Sequence, residues 1–206
     1  VLKIESHLDL DLTWLLLEEL EVSAPRPDFD ADVSALEEAA RTGAVAASLP
    51  ARALYRRFGI DPTRHRPSSE ALLRRLKRGQ PLPRVNSLVD LANVLSVRFQ
   101  IPVGLYDLDK VDGENLVVRL GEAGEAYTGV GGSILNLEGA IVVADDTGPI
   151  GNPTMDSERT NVTTETQRAA WLFFLPPREP VLDLSAEMLA VFGRGLVRVP
   201  NWSRLD

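Results

Sequence analysis

The stretch RVNSLVDLANVLS, residues 84–96, sets the hardest condition on any fold this chain can adopt. At helical spacing Leu88, Val89, Leu91, Ala92, Val94 and Leu95 cover nearly the whole circumference, while Asn86, Asp90 and Asn93 fall on one narrow line. A helix that is apolar on almost every side must be packed on almost every side, so it belongs at the centre of a domain. The polar line then has two explanations. In one, Asn86 or Ser87 caps the helix, and Asp90 and Asn93 bond to backbone packed against it. In the other, the line faces a pocket where water or a ligand supplies the partners. Either way partners must exist, because a polar group left unpaired in a core costs roughly 1–3 kcal/mol.

The pattern differs on the two sides of this helix. Upstream, VSALEEAAR (33–41), the run from Pro50 to Phe58 and EALLRRLKR (70–78) have helical periodicity, with Ser68 or Ser69 as the expected cap of the last. Before them, residues 7–14 alternate as a half-buried strand. Downstream, IPVGLYD, NLVVRL, SILNL, AIVVA and AAWLFFL predict strands, with LDKVDGE as a turn, and SAEMLAVFGRG predicts a final helix with Ser185 as cap and Gly193 as stop. Helices first and strands later indicate α+β rather than alternating βαβ units. Residues 1–206 are expected to form one domain, with a variable part at 1–45 and a tail at 194–206.

Charge is unevenly placed. The net charge is −8, yet residues 52–84 carry ten Lys or Arg against only Asp61 and Glu70. On the helix at 70–78, Arg74, Arg75, Lys77 and Arg78 lie opposite Leu72, Leu73 and Leu76, so they could meet phosphates without disturbing packing. The plainer alternative is a solvated face paired with the acidic surface.

Several chemistries are excluded or unsupported. Cysteine is absent, which removes disulfides and thiolate chemistry and suits a cytoplasmic protein. Only His7 and His65 are present, so a histidine-rich metal centre is excluded, and His65 among arginines and prolines predicts a surface position. No cofactor, metal or membrane span is expected, and no secretory signal is seen. TGVGGS (128–133) lacks the Lys-Ser/Thr of a phosphate loop and predicts a hairpin turn. The polar stretch at 144–166 is long for a connection between strands, and Pro149, Pro153 and Met155 favour a shaped loop.

Residues 82–174 resemble the B3/B4 module of the bacterial phenylalanyl-tRNA synthetase beta subunit. The resemblance rests on Val89, Asp90 and Asn93 of the helix, on Pro102, Tyr106, Asp107, Leu108, Asp109 and Lys110, on Val117, Val118 and Arg119, and on Ile141 to Asp145. The flanking stretches are similar to free-standing relatives of that module, and nothing resembles the synthetase's catalytic core. The resemblance implies mixed or antiparallel sheets in sandwich-like layers with flanking helices. It also implies editing of a mischarged tRNA ester by a positioned water, with tRNA or a small amino-acid-like ligand as partner. A non-catalytic binder of the same ligands is the alternative.

The implied pocket lies between the helix at 86–97 and the loop at 146–161. Asn93 would orient water or the ester, with Asp156 or Asp90 as base, while Asn86, Ser87, Gly104, Asn152, Ser157, Arg159 and Thr160 would contact substrate. The family's pocket histidine falls on Gly104 and its substrate-sensing glutamate on Leu172, so specificity for tyrosine is not expected to carry over.

Overall fold

The computed structural model describes residues 2–46, 49–175 and 201–204. Two four-stranded sheets organise them. The first holds β1 (Lys3–Ser6), β4 (Asn115–Leu120), β7 (Ile141–Asp145) and β8 (Gly148–Gly151) in that spatial order, with β1 parallel to β4 and the other pairs antiparallel. The second is antiparallel throughout and runs β10 (Asn201–Arg204), β2 (Asp11–Leu17), β9 (Ala169–Leu175), β3 (Val103–Asp107). A separate ribbon of β5 (Ala126–Thr128) and β6 (Ile134–Asn136) carries the glycine-rich turn. The helices are α1 (Asp30–Arg41), α2 (Leu49–Arg57), α3 (Ser68–Lys77) and α4 (Ser87–Phe99).

Strand β9 explains the layering. AAWLFFL is apolar at every position, and all seven residues are buried, so both faces of its sheet must be covered. Ala169, Trp171, Phe173 and Leu175 pack with Val33 and Leu36 of α1, Leu73 and Leu76 of α3, and the apolar face of α4. Ala170, Leu172 and Phe174 point the other way, against Leu54 and Tyr55 of α2 and Leu116, Val118, Ile141 and Val143 of the first sheet. Helices, sheet and sheet thus form the α+β sandwich that the sequence predicts. As its pattern requires, α4 lies inside, with Leu91 and Val97 fully enclosed.

Local signals are overridden in several places. The first long strand is shifted to 11–17 because it pairs in register with β9 along its whole length, from Asp11↔Leu175 to Leu17↔Ala169. Ser68 and Ser69 do not cap α3. Pro67 holds the cap position, and the Ser68 N–H instead donates to Pro153 O at 2.9 Å. Strand β8 lies inside the stretch expected to be loop, and it forms because β7 offers it an edge to pair with. The helix expected at 185–193 lies outside the described residues. No helix among the described residues is long and apolar enough to cross a membrane.

Candidate functional site

The polar line of α4 is largely consumed by the fold. Asn86 is the N-cap: its Oδ1 accepts the Val89 N–H at 2.9 Å, and its Nδ2 donates to Val162 O at 3.2 Å. Ser87 Oγ accepts the Ser23 N–H at 3.0 Å. Asp90, with its side chain 1% exposed, accepts from Arg84 Nε at 2.6 Å and from the Val85 N–H at 2.8 Å. A helix N-terminus needs acceptors and a half-buried guanidinium needs an anion, so these three side chains are held by the fold rather than by a pocket. Asn93 is half-buried and is not part of the cleft described below. The pocket expected between α4 and the 146–161 loop is therefore not built on Asn86, Ser87 or Asp90.

The loop residues are also occupied. Asn152 Oδ1 accepts the Thr154 and Met155 N–H groups at 2.7 and 2.9 Å, which folds the loop tightly after β8. Ser157 Oγ accepts the Arg159 N–H, Thr160 is fully buried, and the Arg159 guanidinium is bidentate to Asp145 at 2.8 Å. Ser157 and Arg159 border an open groove with Tyr127, Thr128 and Thr147. Asp156 Oδ2 accepts the Leu105 N–H at 3.0 Å, and Thr160 O accepts the Asp107 N–H at 2.9 Å. Segment 156–160 thus covers the free edge of β3.

A cleft of about 340 Å3 opens beside this loop, within the range of roughly 300–1,000 Å3 common for small-ligand sites. One wall is Tyr55 with Ile60, Arg64 and His65, from α2 and the connection to α3. The opposite wall is Ser133, Leu135 and Asn136 of the ribbon, and the loop supplies Asn152, Pro153, Thr154 and Met155 over Ala140 and Ile141. Of the residues expected in a site, only Asn152 reaches this lining. Arg64, His65, Ser133 and Asn136 carry no mark of ligand contact in the sequence, because they come from a connection and a hairpin that meet only in the fold. The proline-bounded DPTRHRP connector is the one signal that could have pointed to them.

All three tyrosines of the chain converge on the cleft loop. Tyr55 Oη is 2.9 Å from Thr154 Oγ1, Tyr127 Oη donates to Met155 O at 2.6 Å, and Tyr106 lies beside Asp156. Tyr106 Oη and Asp156 Oδ1 are enclosed neighbours, and neither has a hydrogen-bond partner. Burial pushes the Asp156 carboxyl up from 3.8 to about 7, against the opposing pull of the Leu105 N–H and the Tyr106 hydroxyl. Burial, and then the Asp156 charge, push the Tyr106 phenol well above its ordinary value, so it stays protonated.

The glycines around this pair are fixed by space. A Cβ on Gly104 would overlap the Tyr106 hydroxyl, and one on Gly151 would overlap that hydroxyl and sit 2.6 Å from Asp156 Oδ1. Gly104 therefore offers no room to a ligand, contrary to expectation; its strand partner across β3 and β9 is Leu172. Gly151→Ala is expected to lower stability by about 1–3 kcal/mol, as overpacked cores do. Adding Tyr106→Phe should restore little of it, because the Tyr106 ring carbon Cε1 at 2.5 Å and Asp156 Oδ1 at 2.6 Å would still obstruct the new methyl. Chemical denaturation of the single and double variants checks this, and an unchanged midpoint in Gly151→Ala would contradict the packing account.

The basic segment divides in two. Arg52 is bidentate to Glu70, which Arg66 also approaches, while Arg57 pairs with Asp9 and Arg84 with Asp30 and Asp90. Arg74, Arg75, Lys77 and Arg78 are exposed, and none is in an ion pair among the described residues; Arg75 Nε donates to Pro81 O at 2.6 Å. Leu73 and Leu76 on the other side of α3 are buried.

Residues 50–176 match the family model of the B3/4 domain, which is more than half of the chain. The chain belongs to the B3/4 domain family. The chain is 36% identical over 86 residues to the phenylalanine–tRNA ligase beta subunit of Bartonella henselae, covering 41% of this chain and 11% of that protein. The same subunit from Carboxydothermus hydrogenoformans is 32% identical over 111 residues, covering 51% of this chain and 14% of that one. The chain thus matches only a small part of these relatives' length. A crystal structure of an N-terminal fragment of the phenylalanyl-tRNA synthetase beta subunit from Pyrococcus horikoshii aligns over 94% of this chain and 49% of that fragment, with 16% identity and a TM-score of 0.49.

Proposed function

We propose that this B3/4 protein acts in trans on aminoacylated tRNA, with the aminoacyl end in the 340 Å3 cleft and its ester hydrolysed by a positioned water. The observation that supports this most is the cleft itself. It is built from the family-matched stretch, and its rim carries Arg64 and His65. A guanidinium there suits a terminal phosphate or the oxyanion that develops when water attacks an ester carbonyl. The neighbouring imidazole can take the proton from that water, and the Ser133 hydroxyl and Asn136 amide can orient it. Asn93 and Asp156 lie outside the cleft lining, so the roles assigned to them from the sequence pass to these groups. The open basic face of α3 is proposed to hold the tRNA backbone.

Deacylation of a panel of misacylated tRNAs tests this. At least one ester is expected to be cleared well above its spontaneous rate. Arg64→Ala and His65→Ala should each slow clearance by about 10- to 100-fold. Both side chains are exposed, so the melting temperature should hold. Gly104 and Leu172 lie outside the lining of this cleft, so the argument they carried against a tyrosine preference does not apply to it, and the panel itself decides which aminoacyl group is preferred. One observation favours a second proposal, a non-catalytic binder: among the described residues, no carboxylate lines the cleft. Saturable tRNA binding with no turnover across the panel would establish the binder instead.

A further inference from the structure

We infer that Asp156 and Tyr106 are positioning residues for the cleft: the carboxyl clamps the loop that lines it to the edge of β3, and the phenol completes the clamp. Asp156 stands where three parts of the site meet. Its Oδ2 holds the Leu105 N–H of β3 at 3.0 Å. Its backbone carbonyl accepts the Val130 N–H at 3.0 Å, which anchors the tip of the ribbon whose Ser133, Leu135 and Asn136 form the opposite wall. Its chain neighbour Met155 lines the cleft and is held by Tyr127. Oδ1 is enclosed against the equally enclosed Tyr106 hydroxyl, so each is the other's available partner. A small rotation would let the ionised carboxyl accept from the phenol, or the protonated carboxyl donate to the phenol oxygen. The clamp therefore has two hydrogen-bonding states that differ by one proton.

The titratable groups facing the carboxyl are Tyr106 from β3 and Tyr127 from β5, while β8 contributes none. Within the loop, Glu158 and Arg159 are exposed, and Arg159 is held by Asp145. With the folded carboxyl titrating at about 7 against an ordinary 3.8, folding favours the protonated form. The stabilisation is complete below the ordinary value and is lost as pH rises towards neutrality.

The inference rests on the proposed function only where tRNA binding is read. Carbon NMR of the aspartate carboxyls follows the clamp without any ligand, and Asp156→Asn assigns the signal by its loss. A midpoint near neutrality is expected, and an ordinary carboxylate midpoint would overturn the enclosed clamp. Tyr106→Phe should move that midpoint further up, and no movement would remove the phenol from the proposal. Amide exchange at Leu105 and Val130 should change across the same midpoint in the wild type and stay flat in Asp156→Asn. Titration without any such change would overturn positioning. The affinity for aminoacyl-tRNA should vary by roughly threefold or more between about pH 5.5 and 8 in the wild type and become flat in Asp156→Asn. Should the wild type bind no tRNA while the NMR and exchange results hold, the proposed function fails and the clamp stands.

Discussion

Replacing Arg74, Arg75, Lys77 and Arg78 together by glutamate is expected to weaken tRNA binding by more than about a hundredfold at physiological salt, and to flatten its salt dependence. The four side chains are exposed and free of ion pairs among the described residues, so their charge is available to phosphates. Each phosphate that is no longer neutralised should remove about 0.9 from the log–log slope on a duplex. Stability should barely change, because α3 packs through Leu73 and Leu76 on its other side. The rest of the basic segment provides the control. Arg52 and Arg66 are already committed to Glu70, so neutralising them should affect RNA binding far less. Filter binding across a salt series separates the outcomes, and undiminished binding in the quadruple variant would move the RNA surface elsewhere.

Asp90→Ala is expected to cost roughly 3 kcal/mol of stability. The change removes a buried carboxylate that serves the Arg84 guanidinium and the Val85 N–H together, at the start of the helix around which one core is built. Arg84 keeps Asp30 and the Arg26 carbonyl, which limits the loss. A drop in the urea midpoint with deacylation per folded molecule retained would confirm a structural carboxylate. Unchanged stability with abolished turnover would make Asp90 a candidate base again.

The apolar circumference of α4 and the unbroken AAWLFFL are legible in the sequence because burial on all sides leaves a continuous composition signal. Their layering follows from it. Short strands are not legible in the same way. Neither Lys3–Ser6 nor Gly148–Gly151 carries a pattern of its own, and each is a strand only because β4 or β7 presents an edge. The site is harder still. Asn86, Asp90 and Asp156 are polar residues in apolar surroundings, which marks either a pocket or a structural bond equally well. Only the folded chain shows that Val89, Val85 and Leu105 supply their partners. Conversely, Arg64 and His65 look like ordinary surface residues until Met155 and Asn136 are placed across from them.

The pairing of β2 with β9 joins residues 11–17 to residues 169–175, and β10 joins β2 from the far side. The stretch matching the family model begins at residue 50, so it leaves out β2, a strand that the second sheet needs. A fragment cut at residue 50 would keep β9 but strip it of β2, leaving an apolar strand with a bare hydrogen-bonding edge, a template for self-association. Because loop closure across such a separation precedes any gain from the sheet, the second sheet should be assembled late, after the local helices. Strand β2 would then act as a keystone, set last and holding its neighbours in place.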